Sequence, residues 1–452
     1  MPEKVLDLFD QMNIQPDQAV FNTLFSACAR VANDRAKEIG RKLLQQMPKH
    51  FYNDHVLLTS AIYMLMKFGD VENAENFFQT MKKKNIITYG AMMKGYVENK
   101  MYDKALDLFE QIPFALQNTS YTIIFNACAQ LANDRAKEIG RKLLQQMPKH
   151  FHNDHVLLTS AIYMLMKFGD IENAENLFQM MKKKDIITYG AMMKGYVENN
   201  MNDKALDLFE QIPFALQNTS YTIIFNACAQ LANDRAKEIG RKLLQQMPKH
   251  FHNNNVLLTS AIDMLMKFGD IENAENLFQM MKKKDIITYG TMMKGYVENN
   301  MNDKALDLFE QMPLNPNNVI HIIVFNACAQ ILNDRGEEIG RKLLDQIPKH
   351  FHNDNALLNS AIDMLMKFDD VQSAEKLFRT IKKKNIVTFG AMMNGYNINN
   401  EPFKCLQLLE EIKQHGFILD ECVSAILINA CARLGVISTC QSVIDQIPSY
   451  LC

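Results

Sequence analysis

A block of one hundred residues returns almost letter for letter along this chain, and no other feature restricts the fold as tightly. "DIITYGAMMKGYVENNMNDKALDLFEQI" runs from Asp185 to Ile212 and recurs from Asp285 to Met312, with Thr291 replacing Ala191 and Met312 replacing Ile212. A third copy starts at Asn85. Residues 118–217 and 218–317 are roughly nine-tenths identical. Self-similarity at a fixed spacing is the signature of a repeat array, in which each unit is too small to bury its own apolar face and stacks on its neighbours.

The block is too long for one such unit and divides into three. In residues 186–217, Tyr189, Met192, Met193 and Tyr196 fall at i, i+3, i+4 and i+7, one face of a helix. "ENNMND" then supplies turn and N-cap residues, Ala205, Leu208, Phe209 and Ile212 repeat the spacing, and Pro213 ends it. Residues 218–254 carry one stripe in Tyr221, Ile224, Phe225 and Cys228, and a second in Gly240, Leu243, Leu244 and Met247 before Pro248. Residues 155–185 carry Leu158, Ala161, Ile162 and Leu165, a Gly169-Asp170 turn, then Ala174, Leu177, Phe178 and Met181. Each unit is predicted to be a helix–turn–helix whose second helix opens on a small residue (Ala205, Gly240 or Ala174), so that helices can cross closely. The fold class expected is all-α, a right-handed α-solenoid superhelix of stacked helix–turn–helix repeats.

The units have 32, 37 and 31 residues, and that order gives twelve repeats over 18–420 in one continuous solenoid. Residues 1–17 form a partial repeat, and 421–452 a divergent C-terminal repeat or cap. The opening "MPEKVLDLFDQM" matches the middle of a unit, so the sequence is either cut there or begins on a half-unit cap. It has the form of neither a signal peptide nor an Arg- and Ser-rich transit peptide.

With 452 residues and 48% hydrophobic content the chain can bury a large core. A net charge of -2 argues against a strongly basic nucleic-acid coat but leaves room for a local basic stripe. No apolar run approaches a membrane span. Of nine cysteines, Cys28, Cys128, Cys228 and Cys328 are one core position copied four times. Cys405, Cys422, Cys431, Cys440 and Cys452 form no C-x-x-C pair, so a reduced protein without a disulfide framework is expected.

These residues carry a family resemblance. "ITYGAMMKGYVENNMNDKALDLFEQI" resembles the pentatricopeptide repeat, and "YTIIFNACAQLANDRAKEIGRKLL" and "VLLTSAIYMLMKFGDIENAENLFQMMKKKDIITYGAMMKGY" resemble its long and short variants. The cyclic order of ordinary, long and short units is similar to a subclass known from plant organelles. Tetratricopeptide repeats share the hairpin, but their tryptophan-containing signature is absent from a chain with no tryptophan.

The resemblance implies a single-stranded RNA partner, read at about one base per repeat by two side chains, one just after the aromatic of "TY" and one at the unit's last position. Carried over by residue, Asn22 with Asp54 resembles a uracil combination. Thr59 with Asn85 and Thr222 with Asn254 resemble adenine readers. Thr122 with Asp154, Thr159 with Asp185 and Thr259 with Asp285 resemble guanine readers. Asn359 with Asn385 favours a pyrimidine. Ordinary units depart from the pattern with Gly90, Gly190, Gly290 and Gly390, and Ile322 and Ala425 likewise have no polar atom to offer an edge. Ile87, Val156, Ile187, Val256 and Ile287 match the family position that packs on base faces.

Other candidates are weaker. "KKK" at Lys82–Lys84, Lys182–Lys184, Lys282–Lys284 and Lys382–Lys384 is either a solvated helix end or a row of phosphate contacts. Arg35, Lys37, Arg41 and Lys42 are read as solvated surface of an outer layer. His150, His152 and His155 suggest a metal site, but only one of the four copies has all three, so no metal and no cofactor is expected. There is no Gly-rich phosphate loop and no H-x-E…P-C-x-x-C deaminase pattern, so no enzyme is expected. The function expected is a sequence-selective RNA-binding adaptor in RNA processing, stabilisation or editing. It would be a monomer, with an RNA-processing or editing enzyme as partner and no membrane, in a mitochondrion or other organelle. The alternative is an α-solenoid scaffold for proteins.

Overall fold

A computed structural model describes residues 2–12, 16–348, 354–435 and 441. Cys440 and Cys452, and half of the expected C-terminal repeat, lie outside the described residues. Contacts divide the chain into two compact units, 1–227 and 228–452, taken separately below.

The first unit opens with α1 (Pro2–Asp10), followed by the hairpins α2 (Gln18–Val31) and α3 (Asp34–Gln46), α4 (His55–Phe68) and α5 (Val71–Thr80), and α6 (Ile86–Glu98) and α7 (Tyr102–Glu110). Next come α8 (Asn118–Leu131) and α9 (Asp134–Gln145), α10 (His155–Lys167) and α11 (Ile171–Met180), and α12 (Ile186–Glu198) and α13 (Asn202–Glu210). The unit ends inside α14 (Asn218–Leu231). The second unit continues with α15 (Asp234–Gln245), α16 (Asn255–Lys267), α17 (Ile271–Met280), α18 (Ile286–Glu298), α19 (Asn302–Gln311), α20 (Asn318–Ile331) and α21 (Asp334–Asp345). It closes with α22 (Asn355–Lys367), α23 (Val371–Thr380), α24 (Ile386–Ile398), α25 (Pro402–Gln414) and α26 (Glu421–Leu434). Among the described residues every regular element is helical, and no helix is long and apolar enough to cross a membrane.

Within each unit the architecture is a solenoid of two layers. First helices pack side by side (α2 on α4, α4 on α6, α8 on α10), while each second helix covers its own partner. First helices are therefore buried on two flanks. In α10, Leu157, Leu158, Ala161, Ile162, Met164, Leu165 and Met166 are all buried, a wider stripe than the sequence spacing alone indicates. Second helices bury one narrow face: in α11 only Ala174 is fully enclosed.

Turn chemistry sets the hairpins. Gly69, Gly169 and Gly269 end their helices with φ of 77°, 73° and 73°, and in the fourth copy Asp369 takes the same left-handed turn at 61°. Second helices start on capping side chains, as where Asn133 Oδ1 accepts the Ala136 N–H at 2.9 Å. In the long units a 3₁₀ turn follows the second helix, at Lys49–Asn53, Lys149–Asn153 and Lys249–Asn253. That turn accounts for their extra length, and His150 and His152 lie in it.

Two polar ties recur between hairpins. Asn99 Nδ2 donates to Met66 O at 2.9 Å and Gly95 O at 2.8 Å, joining the ends of α4 and α6. Tyr96 Oη and Lys104 Nζ both donate to Glu75 Oε1, at 2.8 and 2.7 Å. Arg35, expected as plain solvated surface, instead reaches Asp7 and Asp10 at 2.8 and 2.6 Å, and Arg135 pairs likewise with Asp107 and Glu110. These arginines stay half exposed, so they set register between hairpins more than they add stability. The repeated Cys28, Cys128, Cys228 and Cys328 are fully buried, and burial pushes their thiols up to about 11 for Cys28 and about 12 for the others. They serve as small core residues.

Candidate nucleic-acid interface

The residue that ends each short or long unit caps the first helix of the next. An N-cap acceptor must sit beside the free N–H groups of the first turn, which places it at the rim of the first-helix layer. Asp54 Oδ1 accepts from the Val56 and Leu57 N–H groups at 2.7 and 3.0 Å, and Asp154 Oδ1 from Val156 and Leu157 at 3.0 and 3.1 Å. Asn85, Asp185, Asp285 and Asn385 each accept one N–H, from Thr88, Thr188, Thr288 and Thr388, at 3.0, 2.9, 2.9 and 3.0 Å. Asn254 Oδ1 accepts from Leu257 at 3.1 Å. In every one of these caps a single oxygen does the capping, leaving the second atom of the carboxylate or amide pointing elsewhere.

None of the fourteen residues singled out from the sequence is buried. Asp285 and Asn385 are exposed, and Asn22, Asp54, Thr59, Asn85, Thr122, Asp154, Thr159, Asp185, Thr222, Asn254, Thr259 and Asn359 are half-buried. The short units bring their two positions together through a residue that sequence reasoning missed. Thr188, wholly buried, lies 2.9 Å from Thr159 Oγ1 and donates its hydroxyl to Asp185 Oδ1 at 2.9 Å. Thr88 joins Thr59 to Asn85 at 2.9 and 3.1 Å, and Thr288 joins Thr259 to Asp285 at 3.0 and 2.9 Å. In the fourth short unit Thr388 donates to Asn385 at 2.9 Å, while Asn359 Oδ1 has no hydrogen-bond partner among the described residues.

Long units use a different link. Thr122 Oγ1 donates to Asn118 O at 3.0 Å, and Asn118 Nδ2 donates to Asp154 Oδ2 at 2.7 Å. Asn318 makes the same bond to Asp354 at 2.6 Å. Thr222 also donates to its Asn218 carbonyl at 3.0 Å; it belongs to the first compact unit and Asn254 to the second. Asn22 accepts a short hydrogen bond from the Ser60 hydroxyl.

Two of the junction carboxylates, Asp154 and Asp185, are held in their ionised form. Partial burial works to raise Asp154, but the bonds from Asn118, Leu157 and Val156 outweigh it and hold the group below the usual aspartate value. Asp185 is likewise opposed by burial and held low by the Thr188 N–H and hydroxyl, with His155 adding a smaller contribution. His155 Nε2 stands 3.8 Å from Asp185 Oδ2, turned towards that carboxylate, while the His150 ring packs on Phe151 at 4.2 Å. Among the described residues no cluster of His, Cys, Asp and Glu could hold a metal ion.

Glycines of the ordinary units leave gaps in the row. A Cβ at Gly90 or Gly190 would meet no described atom within 4 Å, whereas one at Gly290 would touch Ile320 Cδ1 at 3.3 Å and one at Gly390 Val423 Cγ2 at 3.2 Å. A cleft of about 560 Å³ is lined by Lys94, Asn118, Thr122, Asn126, Asp154 and Val156, among others. Ile87, Val156, Ile187, Val256 and Ile287 project into solvent with 55–68% of their surface exposed, an unusual state for residues with no polar atom to solvate. The third lysine of each "KKK" caps a helix end: Lys84 Nζ donates to Met81 O at 2.8 Å and lies 5.2 Å from the Phe78 ring centroid. Lys82, Lys83, Lys182 and Lys183 remain exposed next to the junction residues.

A two-layer helical solenoid with apolar side chains and hydrogen-bonding pairs alternating along its first-helix rim defines the class of helical repeat proteins. The profile described as PPR repeat matches residues 56–86, 87–113, 156–186, 187–213, 256–286, 287–315, 357–386 and 387–417, more than half of the sequence. The chain belongs to the pentatricopeptide repeat family. It is 27% identical over 96% of its length to a mitochondrial pentatricopeptide repeat-containing protein of Arabidopsis thaliana, covering 63% of that protein. It is 27% identical over 96% of its length to a chloroplastic one from the same plant, covering 50%. The chain thus spans between half and under two thirds of the length of these relatives. The crystal structure of the maize pentatricopeptide repeat protein PPR10 superimposes with a TM-score of 0.61 at 17% identity, over 98% of this chain and 65% of that one. PPR10 has also been crystallised with an 18-nucleotide psaJ RNA element; that structure matches with a TM-score of 0.59 at 16% identity, over 99% of this chain and 77% of that one.

Proposed function

We propose that this chain binds single-stranded RNA along the rim of its first helices, about one base per repeat, and acts as an adaptor that directs RNA processing, stabilisation or editing. One observation carries the reading. The capping oxygen of each junction residue is already taken, so the atom left for a ligand is fixed by residue type: Asn85 offers Nδ2, a donor, and Asp185 and Asp285 offer Oδ2, an acceptor.

Watson–Crick edges differ in that same property. Guanine carries two adjacent donors, N1–H and the N2 amino group, and adenine a donor amino group beside the N1 acceptor. Thr159 with Asp185 and Thr259 with Asp285 suit guanine, and Thr59 with Asn85 suits adenine. Asp154 Oδ2 already accepts from Asn118, but a carboxylate oxygen has a second lone pair, so Thr122 with Asp154 also suits guanine. Asn22 with Asp54 is assigned uracil, and Asn359 with Asn385 a pyrimidine. The exposed Ile and Val side chains supply apolar faces against which bases pack, and the free lysines beside the junctions supply cations for the phosphates.

The names of the relatives, mitochondrial and chloroplastic, support work in an organelle, and a processing or editing enzyme is the partner such an adaptor serves. Selection of RNA from a random pool tests the reading. Guanine and adenine enriched at the order of the pairs above is the expected result; recovery of no motif, together with binding insensitive to salt, overturns it.

A further inference from the structure

The buried threonines of the short-unit junctions have a chemical consequence beyond packing. A hydroxyl has one proton. Thr288 sits between two oxygens, Thr259 Oγ1 at 3.0 Å and Asp285 Oδ1 at 2.9 Å. An ionised carboxylate only accepts, so the Thr288 proton goes to Asp285. Two hydroxyl oxygens held 3.0 Å apart need a proton between them. With that of Thr288 committed, Thr259 must supply it. Its own hydroxyl then points inward, and only lone pairs face the rim. At Asn85 the order is the same, because the capping atom is an amide oxygen that also only accepts.

We infer that Thr288 is a positioning residue that fixes the hydroxyl of Thr259 as an acceptor towards the bound base, a role that Thr88 and Thr188 share with backbone carbonyls at Thr59 and Thr159. This rests on the RNA reading proposed above and adds what that reading lacks: a reason why threonine, which could donate or accept, behaves as one of the two. A fixed acceptor beside Asp285 Oδ2 makes two acceptors for the two donors of guanine. A fixed acceptor beside Asn85 Nδ2 makes an acceptor and a donor for the complementary pair of adenine. Thr59 and Thr159 have a second inward acceptor in the carbonyls of His55 and His155, at 2.6 and 2.7 Å. Thr259 has no such bond among those described, so its orientation depends most on its buried partner.

The test uses the full chain and an RNA recovered by it from a random pool, with each position changed in turn between guanine and adenine. Asp285→Asn first locates the nucleotide of this module, as the one position where preference swings from guanine towards adenine. Thr288→Val is close in shape, keeps the backbone N–H that Asp285 caps, and removes only the hydroxyl. The expected result is a drop of about tenfold in guanine-over-adenine preference at that nucleotide, no change at the Thr159–Asp185 nucleotide, and recovery with Thr288→Ser. Preference held within about twofold in Thr288→Val, with Asp285→Asn still effective, overturns the inference and leaves the RNA reading intact. No response at any position to Asp285→Asn overturns the reading, and the inference with it. Should Thr288→Val fail to fold, Thr288→Ala, which also lacks the hydroxyl and keeps the capped N–H, is read in the same way: an equal loss of preference is expected, and an unchanged preference overturns the inference.

Discussion

Gly190 and Gly195 lie five residues apart in one helix, and alanine at the two sites is expected to act in opposite directions. A glycine inside a helix is about 1 kcal/mol less favourable than alanine, so both substitutions begin with the same gain. At Gly190 the new Cβ meets no described atom within 4 Å, and the gain of about 1 kcal/mol should appear in full. At Gly195 it would land 2.3 Å from Met166 Cγ and 2.5 Å from Met166 Cβ. These are stem atoms, set by the backbone of α10, so no rotation of the methionine tip relieves the overlap; α10 and α12 must separate. Overpacking costs about 1–3 kcal/mol, and an overlap with stem atoms belongs at the upper end of that range, so Gly195→Ala should be up to about 2 kcal/mol less stable than the parent. Because a repeat array can open in segments, urea unfolding should be paired with hydrogen exchange at the amides of α10 and α12. Slower exchange in Gly190→Ala and faster exchange in Gly195→Ala is the expected pattern. The same contrast should hold at Gly90 and Gly95, where a Cβ would meet nothing described within 4 Å and Met66 Cγ at 2.3 Å, respectively. Both alanines shifting stability in one direction would refute the account of how first helices pack.

Four further outcomes follow from the same structure. Gly190→Asn should bring a polar side chain to the rim at no packing cost and create base preference at a nucleotide that had none, read by substitution along a bound RNA. Asp185 is held below the usual aspartate range, so its contribution to stability is complete above the unfolded value near pH 4 and is lost as pH falls through the lower folded value; guanine preference at its nucleotide should be flat from pH 7 to about 5 and vanish only in stronger acid. Asn99→Ala removes a side chain bound to two carbonyls and should destabilise by about 1–2 kcal/mol, measured as faster exchange at the ends of α4 and α6. A thiol reagent should label Cys422, which is exposed, in the native protein while Cys128, Cys228 and Cys328 react only on unfolding.

The fold was legible because helical period, turn residues and the hundred-residue recurrence all pointed one way. Stripes such as Leu158, Ala161, Ile162 and Leu165 are indeed core. What spacing could not reveal was contact between units. Thr188 sits in the first turn of α12 and reads as an ordinary capping-region residue; its bond to Thr159 spans 29 positions and exists only once hairpins stack. Arg35 reads as surface for the same reason, its acids lying 28 and 25 residues earlier in α1. The 3₁₀ turns of the long units escaped notice because five residues after a proline carry no period to detect.

The dual duty of the junction residues bears on how such a chain diversifies. Aspartate and asparagine stop the free amides of a helix start about equally well, so exchanging one for the other leaves the scaffold's free energy almost untouched while turning an acceptor into a donor. Asn85 and Asp185 stand at equivalent places in near-identical copies and differ in little else. Duplication followed by a swap of one oxygen for one nitrogen can therefore rewrite what a module selects without a period of instability in between.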